Sequence, residues 1–372
     1  MSVASKRVQC ILPSGARRTR YGEKPYYQEG LYEIAERTYA WLVPNGSWGE
    51  SNSGLVVGTD ESLLIDTLWD VPLTRAMLLA MDHLVVRAPI QTLVNTHSDG
   101  DHFYGNQLLA EARIITSKAS AEQMPHHQPK TMLQFERLGK LLSLLPFDTA
   151  KNAGHWFQAM CAPYDFASVK LTPANRTFSG AAKLACDGRE VRLIQVGPAH
   201  TAGDLMIHVP DTKTLFAGDI LFIGSTPVMW AGPVENWLRA LDLILDLDVD
   251  VIVPGHGPVI GKSPVALVQK YWRFTAAEAE RQFEAGKSAY DAALAIVSSP
   301  DFQKQAFANW DSPERMVMNC EMLYREFEGK ERALKPFEII KIMYRQAQLA
   351  HALPNASPAV MRRKIKASSK RR

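Results

Sequence analysis

Four side chains able to bind a divalent metal ion stand within six residues, in the segment Thr96-His97-Ser98-Asp99-Gly100-Asp101-His102. Neutral imidazole and carboxylate groups are ligands that zinc accepts, at about 2.0–2.2 Å. The apolar run Gln91-Thr92-Leu93-Val94 predicts a buried strand directly before this segment, and Gly100 gives the backbone freedom to turn. The segment therefore predicts a ligand-bearing loop at a strand end, with a polar loop of hydrogen-bonded histidines as the alternative.

Three further candidate ligands share this setting. His200 lies in the turn A-H-T-A-G-D, Asp219 in A-G-D and His256 in P-G-H-G-P, and each turn follows an apolar run. A single His or Asp at a strand end is more often structural, but four successive strand ends of a layered fold converge on one edge of the sheets. The recurrence therefore predicts one shared site at that edge.

In this order the turns resemble the pattern of the metallo-β-lactamase superfamily, H-x-H-x-D-H followed by a His in H-T-x-G, an Asp in G-D and a His in G-H-G. The resemblance covers about residues 31–262. It implies an α/β fold, a four-layer αββα sandwich, with two metal sites that share a bridging carboxylate. The implied ligands are Asp101, His102 and His256 for one metal, His97 and His200 for the other, and Asp219 between them.

Asp99 departs from the pattern, because it stands where the second histidine of the loop is expected. Aspartate is a harder, negatively charged ligand, so it could hold the second metal and shift its preference from zinc toward manganese or iron. Alternatively the protein binds one metal, and Asp99 is a free carboxylate placed for proton transfer. One or two zinc ions, or Mn or Fe, are thus the implied cofactors. The resemblance gives Asp66 the role of orienting a ligand through hydrogen bonds.

The implied chemistry is hydrolysis of a small organic substrate by a metal-bound hydroxide, since a divalent ion lowers the pKa of bound water to about 7. Asp101 is the predicted orienter of that hydroxide. An ester, lactone, thioester, sulfate ester or activated halide would suit this chemistry. Substrate contact is predicted for Trp230, just after the Asp219 strand, and for Trp156, with core packing as the alternative for Trp156.

The pattern along the chain divides it into parts. Residues 1–30 form a loosely held N-terminal arm, and residues 31–262 form the catalytic domain. A Met- and aromatic-rich stretch, 117–170, is a helical lid insert within that domain. Residues 263–352 form a helical C-terminal extension. Its three amphipathic stretches fit packing on the core or a homodimer interface, and they are roughly Val265 to Val297, Pro313 to Phe327 and Pro336 to Ala352. Residues 353–372 form a basic disordered tail.

Composition narrows the classes of function. The formal net charge of +3 comes from the tail, because the last eleven residues hold seven Lys and Arg. No run approaches the ~20 apolar residues of a membrane span, and the N-terminus lacks the apolar core of a secretory signal. The four scattered cysteines form no CxxC pair, which argues against a disulfide framework or a thiolate zinc site. We expect a cytoplasmic protein acting on a small molecule, without membrane contact.

Three other functions are weighed against hydrolysis of a small molecule. A diiron redox enzyme would share the acidic residue at position 99, but the region after residue 263 lacks the phosphate loop of a flavin domain. Nucleic-acid processing is suggested by the basic tail, which however lacks aromatic residues for base stacking. The third alternative is a non-catalytic binding protein. The chain keeps six of the seven ligand positions of the pattern, which argues against this alternative because binding alone does not need them.

Overall fold

The computed structural model describes residues 8–330, 333–353 and 361 of the chain. The predicted basic tail therefore lies outside the described residues, apart from positions 353 and 361. Within the described part, the strands form one sheet of eight strands and one of five. Among the helices described, none has the length and apolar character needed to cross a lipid bilayer.

The eight-stranded sheet follows chain order from β1 to β8. Neighbouring strands are antiparallel from β1 to β5 and parallel from β5 to β8. Helix α1 (Val71–Val85) makes the crossover between β5 and β6 that a parallel pair requires, and the Asp70 side chain caps it by accepting from the Leu73 amide. The strands are β1 (Gln9–Pro13), β2 (Gly30–Ala35), β3 (Thr38–Leu42), β4 (Ser53–Val57), β5 (Ser62–Ile65), β6 (Ile90–Val94), β7 (Arg113–Ser117) and β8 (Arg176–Phe178).

The five-stranded sheet has the order β13-β12-β11-β10-β9. Its strands are antiparallel except for the pair β12 and β13, which is parallel and joined by helix α6 (Val234–Asp246). β12 is buried along its whole length, as in a strand covered on both faces. The strands are β9 (Ala181–Cys186), β10 (Arg189–Gln195), β11 (Leu205–Val209), β12 (Thr214–Phe222) and β13 (Val251–His256).

The two sheets pack face to face around buried apolar side chains such as Leu63, Val94 and Ile207. On the outer face of the first sheet, Leu64 packs with Met77 of α1. The outer face of the second sheet is covered by α6 and by helices that follow residue 263. These layers confirm the predicted four-layer αββα sandwich.

The helices after residue 263 pack on the body of this chain. The predicted stretch Val265 to Val297 is two helices rather than one, because Gly286 adopts a φ of 72° after the first and the Ser288 side chain caps the second. The second and fourth of these helices contact each other, and the last contacts the predicted insert. They are α7 (Val265–Glu284), α8 (Ala289–Ser298), α9 (Pro300–Gln303), α10 (Met316–Phe327) and α11 (Pro336–Ala352).

The stretch predicted as an insert is helical in the structure. It contains α3 (Lys118–Gln123), α4 (Pro129–Leu142) and α5 (Asp148–Cys161), which follow the short α2 (Gly100–Phe103). α4 and α5 pack against each other, and the Phe135 ring stacks on that of Phe157 with centroids 5.2 Å apart. The apolar residues of this stretch thus form a separate cluster beside the sandwich.

The prediction of a loosely held N-terminal arm is wrong for the described residues. β1 pairs with β2 as an edge strand of the first sheet. Further along, Tyr21 is buried, and its hydroxyl donates to the Trp48 carbonyl at 2.7 Å. Main-chain hydrogen bonds hold β1, whose side chains stay half-buried or exposed, so its sequence carries no alternating apolar pattern that would predict a strand.

Candidate metal centre

The predicted ligands come from separate parts of the fold and meet at one edge of the sandwich. β5 and β6 are parallel, so Asp66 and His97 follow their carboxyl ends at the same edge. Asp219 lies within β12, beside the end of β13 where His256 stands. Gly255 allows this approach, because a Cβ atom there would lie 1.9 Å from Asp219 Oδ1. The other candidates are Asp99, just before α2, Asp101 and His102 in α2, and His200 between β10 and β11.

The ligand atoms form two adjoining groups. We call Asp101, His102 and His256 the His102 cluster, and we call His97, Asp99 and His200 the His200 cluster. Within each, one nitrogen or oxygen atom per residue lies within 4.8 Å of the others. In the His102 cluster, His256 Nε2 is 3.3 Å from Asp101 Oδ2. In the His200 cluster, His200 Nε2 is 3.2 Å from Asp99 Oδ2.

Asp219 lies between the two clusters. Its Oδ1 atom is 3.2 Å from His102 Nε2, and its Oδ2 atom is 3.3 Å from His200 Nε2 and 3.4 Å from His256 Nε2. One buried carboxylate therefore faces histidines of both clusters. This is the arrangement that the bridging role predicted for Asp219 requires, although the role itself remains a prediction.

Hydrogen bonds behind the histidines set which ring nitrogen faces the centre. Asp66 accepts from the Thr96 amide and hydroxyl, both at 2.7 Å, and its Oδ2 atom lies 3.0 Å from His102 Nδ1. Because the Thr96 hydroxyl donates to Asp66, it accepts from His97 Nδ1 at 2.9 Å. His200 Nδ1 lies 2.6 Å from the Val228 carbonyl. In each neutral ring the Nδ1 proton is used outward, which leaves an Nε2 lone pair facing inward.

This pattern of lone pairs is the observation that fits a metal ion. Among the described residues, His97 Nε2, His102 Nε2 and Asp219 Oδ1 are buried and have no hydrogen-bond partner. Lone pairs of neutral imidazole and carboxylate repel one another at 3.2 Å unless a proton or a metal cation lies between them. Buried polar atoms without partners are costly, so their convergence indicates a site for positive charge. His and Asp side chains are the donor set that zinc accepts, and the residues present therefore fit a divalent ion.

The pKa shifts of the two histidines in the His200 cluster have opposite directions. Burial, reinforced by the neighbouring His102, lowers the pKa of His97 to about 3. Burial also disfavours the charged form of His200, but the hydrogen bond to Asp99 and the charge of Asp219 outweigh it and raise the pKa of His200 to about 9. The carboxylates thus stabilise positive charge at the centre, whether it is carried by a proton or by a metal ion.

The loop that carries His200 is held by a buried carboxylate. Asp204 accepts hydrogen bonds from the Thr201 amide and hydroxyl and from the Ala199 amide. Burial raises the pKa of Asp204 to about 6. Asp204 therefore fixes the backbone of the loop that carries His200, whereas Asp66 fixes the imidazole ring of His102.

The centre opens to solvent on the side of Asp99 and Asp101. Their side chains are 19% and 14% exposed, whereas the five other clustered side chains are at most 3% exposed. His127, from the predicted insert, reaches the same opening, and its Nδ1 atom lies 3.9 Å from Asp99 Oδ1. The two aspartates that were predicted to be catalytic therefore lie on the side of the centre that faces solvent.

The two tryptophans predicted to contact substrate lie in different settings. Trp230 is partly exposed, and its amide donates to the His200 carbonyl at 2.8 Å, so it stays a candidate beside the His200 cluster. Trp156 is fully buried and packs edge-on against Trp48 and Phe157. The structure therefore gives Trp156 a packing position, and a side chain that is 0% exposed does not line a substrate pocket.

Several residues near the centre were not predicted from the sequence. Phe222, at the end of β12, stacks flat on the His256 ring with centroids 4.8 Å apart. Trp48 lies in the loop before β4, and Arg315 lies at the start of α10 with its guanidinium 4.4 Å from the Trp48 ring. Phe222, Trp48 and Arg315 are single residues in ordinary strand, loop and helix-start settings, so the sequence does not mark them as part of a site. His127 stands beside His126, and such a pair of histidines is a weak sequence signal for a metal or substrate site.

Comparison with known proteins agrees with this geometry. The sequence profile of the Metallo-beta-lactamase superfamily matches residues 46–256. The chain is 23% identical to 2,4-dinitroanisole O-demethylase subunit alpha of Nocardioides sp. (strain JS1661), over 74% of this chain and 71% of that protein. It is also 23% identical to linear primary-alkylsulfatase of Pseudomonas sp. (strain ATCC 19151), over 57% of this chain and 42% of that protein.

Among solved structures, the chain resembles a stereoselective inverting sec-alkylsulfatase from Pseudomonas sp., with a TM-score of 0.62 and 17% identity. The match covers 99% of this chain and 65% of the alkylsulfatase, so the chain spans less than two thirds of that protein. At this identity the likeness shows the fold. Because the superfamily profile matches more than half of the 372 residues, this chain belongs to the metallo-beta-lactamase superfamily and is a metallo-hydrolase of that fold.

Proposed function

We propose that the protein hydrolyses a small organic molecule at a centre that holds two divalent ions, zinc in the first instance. The observation that carries the proposal is the inward-facing set of lone pairs on His97, His102 and Asp219, which are buried without partners. Two clusters that share Asp219 offer room for two ions rather than one. When bound, a divalent ion lowers the pKa of a water ligand to about 7 and polarises the group under attack.

The two partly exposed aspartates, Asp101 and Asp99, are the proton acceptors in this proposal. Asp101 and Asp99 reach the opening, while their other contacts, to His256 and His200, hold their carboxylates in place. Each can accept a hydrogen bond from a water at the opening and take its proton as the water attacks. His102 and His97 are buried, and their Nδ1 groups donate hydrogen bonds to Asp66 and Thr96. These two histidines therefore take no part in proton transfer to the substrate.

The names of the relatives favour one substrate class. An anisole demethylase and an alkylsulfatase are both named for compounds in which an alkyl group is joined through oxygen to an electron-withdrawing group. We propose a substrate of this kind, R–O–X, with X a sulfuryl or an activated aryl group. Water adds its oxygen to one side of the cleaved bond, and an alcohol R–OH and an acid HO–X result. When water attacks the carbon of R, the departing oxygen leaves with X as a stabilised anion; when water attacks X, the departing alkoxide takes up the proton that the water releases.

A substrate panel tests this class. Protein purified with and without added zinc would be assayed on a primary alkyl sulfate, 2,4-dinitroanisole, 4-nitrophenyl acetate, a chromogenic cephalosporin and 1-chloro-2,4-dinitrobenzene. We expect metal-dependent turnover of the first or second compound to exceed that of the other three. Faster turnover of the acetate, the cephalosporin or the chloroarene would replace this substrate class, and no metal-dependent turnover of any of the five would contradict it.

The bond that breaks is identified by running the reaction in ¹⁸O-labelled water. Label in the alcohol shows attack at carbon, and label in the acid HO–X shows attack at X. Metal content is measured on the same samples. Two ions per chain support the proposed centre, one ion supports the mononuclear alternative, and iron in place of zinc, together with oxygen consumption, would favour the redox alternative.

A further inference from the structure

Arg315 is a buried charge that the proposed hydrolysis does not use. Its side chain is 1% exposed, and its Nη1 atom donates to the Thr226 carbonyl at 2.8 Å. The guanidinium lies over two aromatic rings, 4.4 Å from the centroid of Trp48 and 5.3 Å from that of Phe222. A buried arginine that stacks on rings is held by both charge and shape, which a lysine does not reproduce.

Each of these two rings leads to the metal centre. Phe222 stacks flat on the His256 ring, at 4.8 Å and an interplanar angle of 6°, and meets His200 edge-on with centroids 5.7 Å apart. It therefore touches one histidine from each cluster. Among the described residues His256 Nδ1 has no hydrogen-bond partner, unlike the Nδ1 atoms of His97, His102 and His200, so the stack on Phe222 supports the ring on the side away from Asp101 and Asp219.

Trp48 belongs to a loop that runs beside the same histidine. Ser51 in this loop pairs with His256, and its hydroxyl donates to the Asp101 carbonyl at 2.7 Å. The Trp48 indole donates to Glu314 at 3.1 Å, and its ring also contacts the Arg315 guanidinium. Two residues of the turn before α10 therefore hold this ring. Trp48 is only half-buried, and its loop meets the partly exposed Asp101 through Ser51.

We infer that Arg315 is a positioning residue through which the C-terminal helices complete the metal centre. Its guanidinium packs on Phe222, which supports His256, and on Trp48, whose loop bonds to Asp101 through Ser51. The inference rests on the proposed function, because it assigns a role toward the metal ligands. It also gives the helices after residue 263 a part in catalysis, beyond covering the second sheet.

Metal affinity and the spectrum of a cobalt-loaded protein test this role. Arg315→Met keeps the length of the side chain and removes the charge and the planar group. We expect it to weaken one of the two metal-binding steps at least about 10-fold in competition with a chromophoric chelator, as for groups that orient ligands. We also expect a changed visible spectrum of bound Co²⁺ and a raised KM, since Trp48 loses its support.

Arg325→Met is the matched control. Arg325 is another buried arginine of α10, but it pairs with Glu338 and Glu321 away from the centre. This variant should lose stability and keep the metal affinity, the cobalt spectrum and KM of the parent. Arg315→Lys should recover only part of the loss, because a lysine restores the charge without the planar stack.

Phe222→Leu keeps the inference testable if Arg315→Met does not fold. We expect it to reproduce the weakened metal-binding step and the altered cobalt spectrum, since it removes the ring between Arg315 and His256. Unchanged metal affinity and an unchanged spectrum in a folded Arg315→Met, or in Phe222→Leu, would overturn the inference. A parent protein that binds no divalent ion would instead overturn the proposed function.

Discussion

The two clusters of the centre differ in what surrounds their partly exposed carboxylate. In the His102 cluster, Asp101 is 14% exposed, and its backbone carbonyl accepts from Ser51 in the loop before β4. In the His200 cluster, Asp99 is 19% exposed and faces His127 from the predicted insert. The difference indicates a His102 cluster that is bordered by a loop of the sandwich and a His200 cluster whose exposed end is bordered by the insert.

The largest effect should come from the residue that the clusters share. Asp219→Asn removes the charge between them while keeping the size of the side chain, so we expect both ions to be lost and turnover to fall more than about 100-fold, beyond the range seen for groups that only orient ligands. Metal content by mass spectrometry and kcat/KM would be measured together. Retention of two ions would show that Asp219 does not join the clusters.

The next effect separates the clusters through the carboxylates behind them. Asp66→Asn loses the charged partner of His102, and we expect affinity for one ion to fall about 10- to 100-fold. Asp204→Asn loosens the loop of His200 and is the matched change on the other side. Chelator competition should show that the two variants weaken different binding steps. If both weaken the same step, the clusters do not bind independently.

A smaller change is expected at Asp99, where this chain departs from the pattern of its superfamily. Asp99→His restores a histidine at the exposed end of the His200 cluster. We expect the ion count to stay at two, with tighter zinc and weaker manganese binding at the second step, because imidazole is a softer ligand than carboxylate. Turnover should fall several-fold through the lost proton acceptor. One ion in the parent and two in the variant would instead support the mononuclear alternative.

The sequence predicted the strands and turns that carry the ligands because their chemistry is local. Each predicted turn places a His or Asp and a glycine directly after an apolar run, and the structure has the strand before His97 close to the predicted bounds, at Ile90–Val94. At Asp219 the strand does not end, since β12 extends to Phe222. Parallel pairing brings strand ends together within each sheet, and the face-to-face packing of the two sheets brings the two edges together. This is why the ligands meet although His97 and His256 are far apart in the chain and lie in different sheets.

Long-range packing could not be predicted in the same way. Arg315 stands at the start of an ordinary amphipathic helix, and only the fold shows that it reaches the rings of Trp48 and Phe222. Trp156 lies in an aromatic-rich stretch whose pattern is the same for a pocket wall and for a core. β1 and β8 are the short edge strands of the eight-stranded sheet, and few of their side chains are buried. Their sequences therefore lack the alternation of apolar and polar residues that predicts a strand.

An effect on stability rather than on metal binding is expected outside both clusters, at the neighbour of Arg315. Burial, together with the charge of Asp311, raises the pKa of the Glu314 carboxyl to about 7. An unfolded glutamate ionises near pH 4.3, so between about pH 4.5 and 7 the unfolded chain releases a proton that the folded chain keeps. The free energy of unfolding therefore falls as pH rises through this window. Its contribution is complete below the window and lost above it.

Glu314→Gln removes this titration and keeps an acceptor for the Trp48 indole. We expect the variant to gain stability relative to the parent between pH 5 and pH 7.5, by on the order of 1–3 kcal/mol. Urea unfolding of both proteins would be followed in the presence of a chelator, so that metal binding does not contribute. If the difference between them is the same at both pH values, Glu314 is ionised in the folded protein, and Arg315 then has a charged partner beside it.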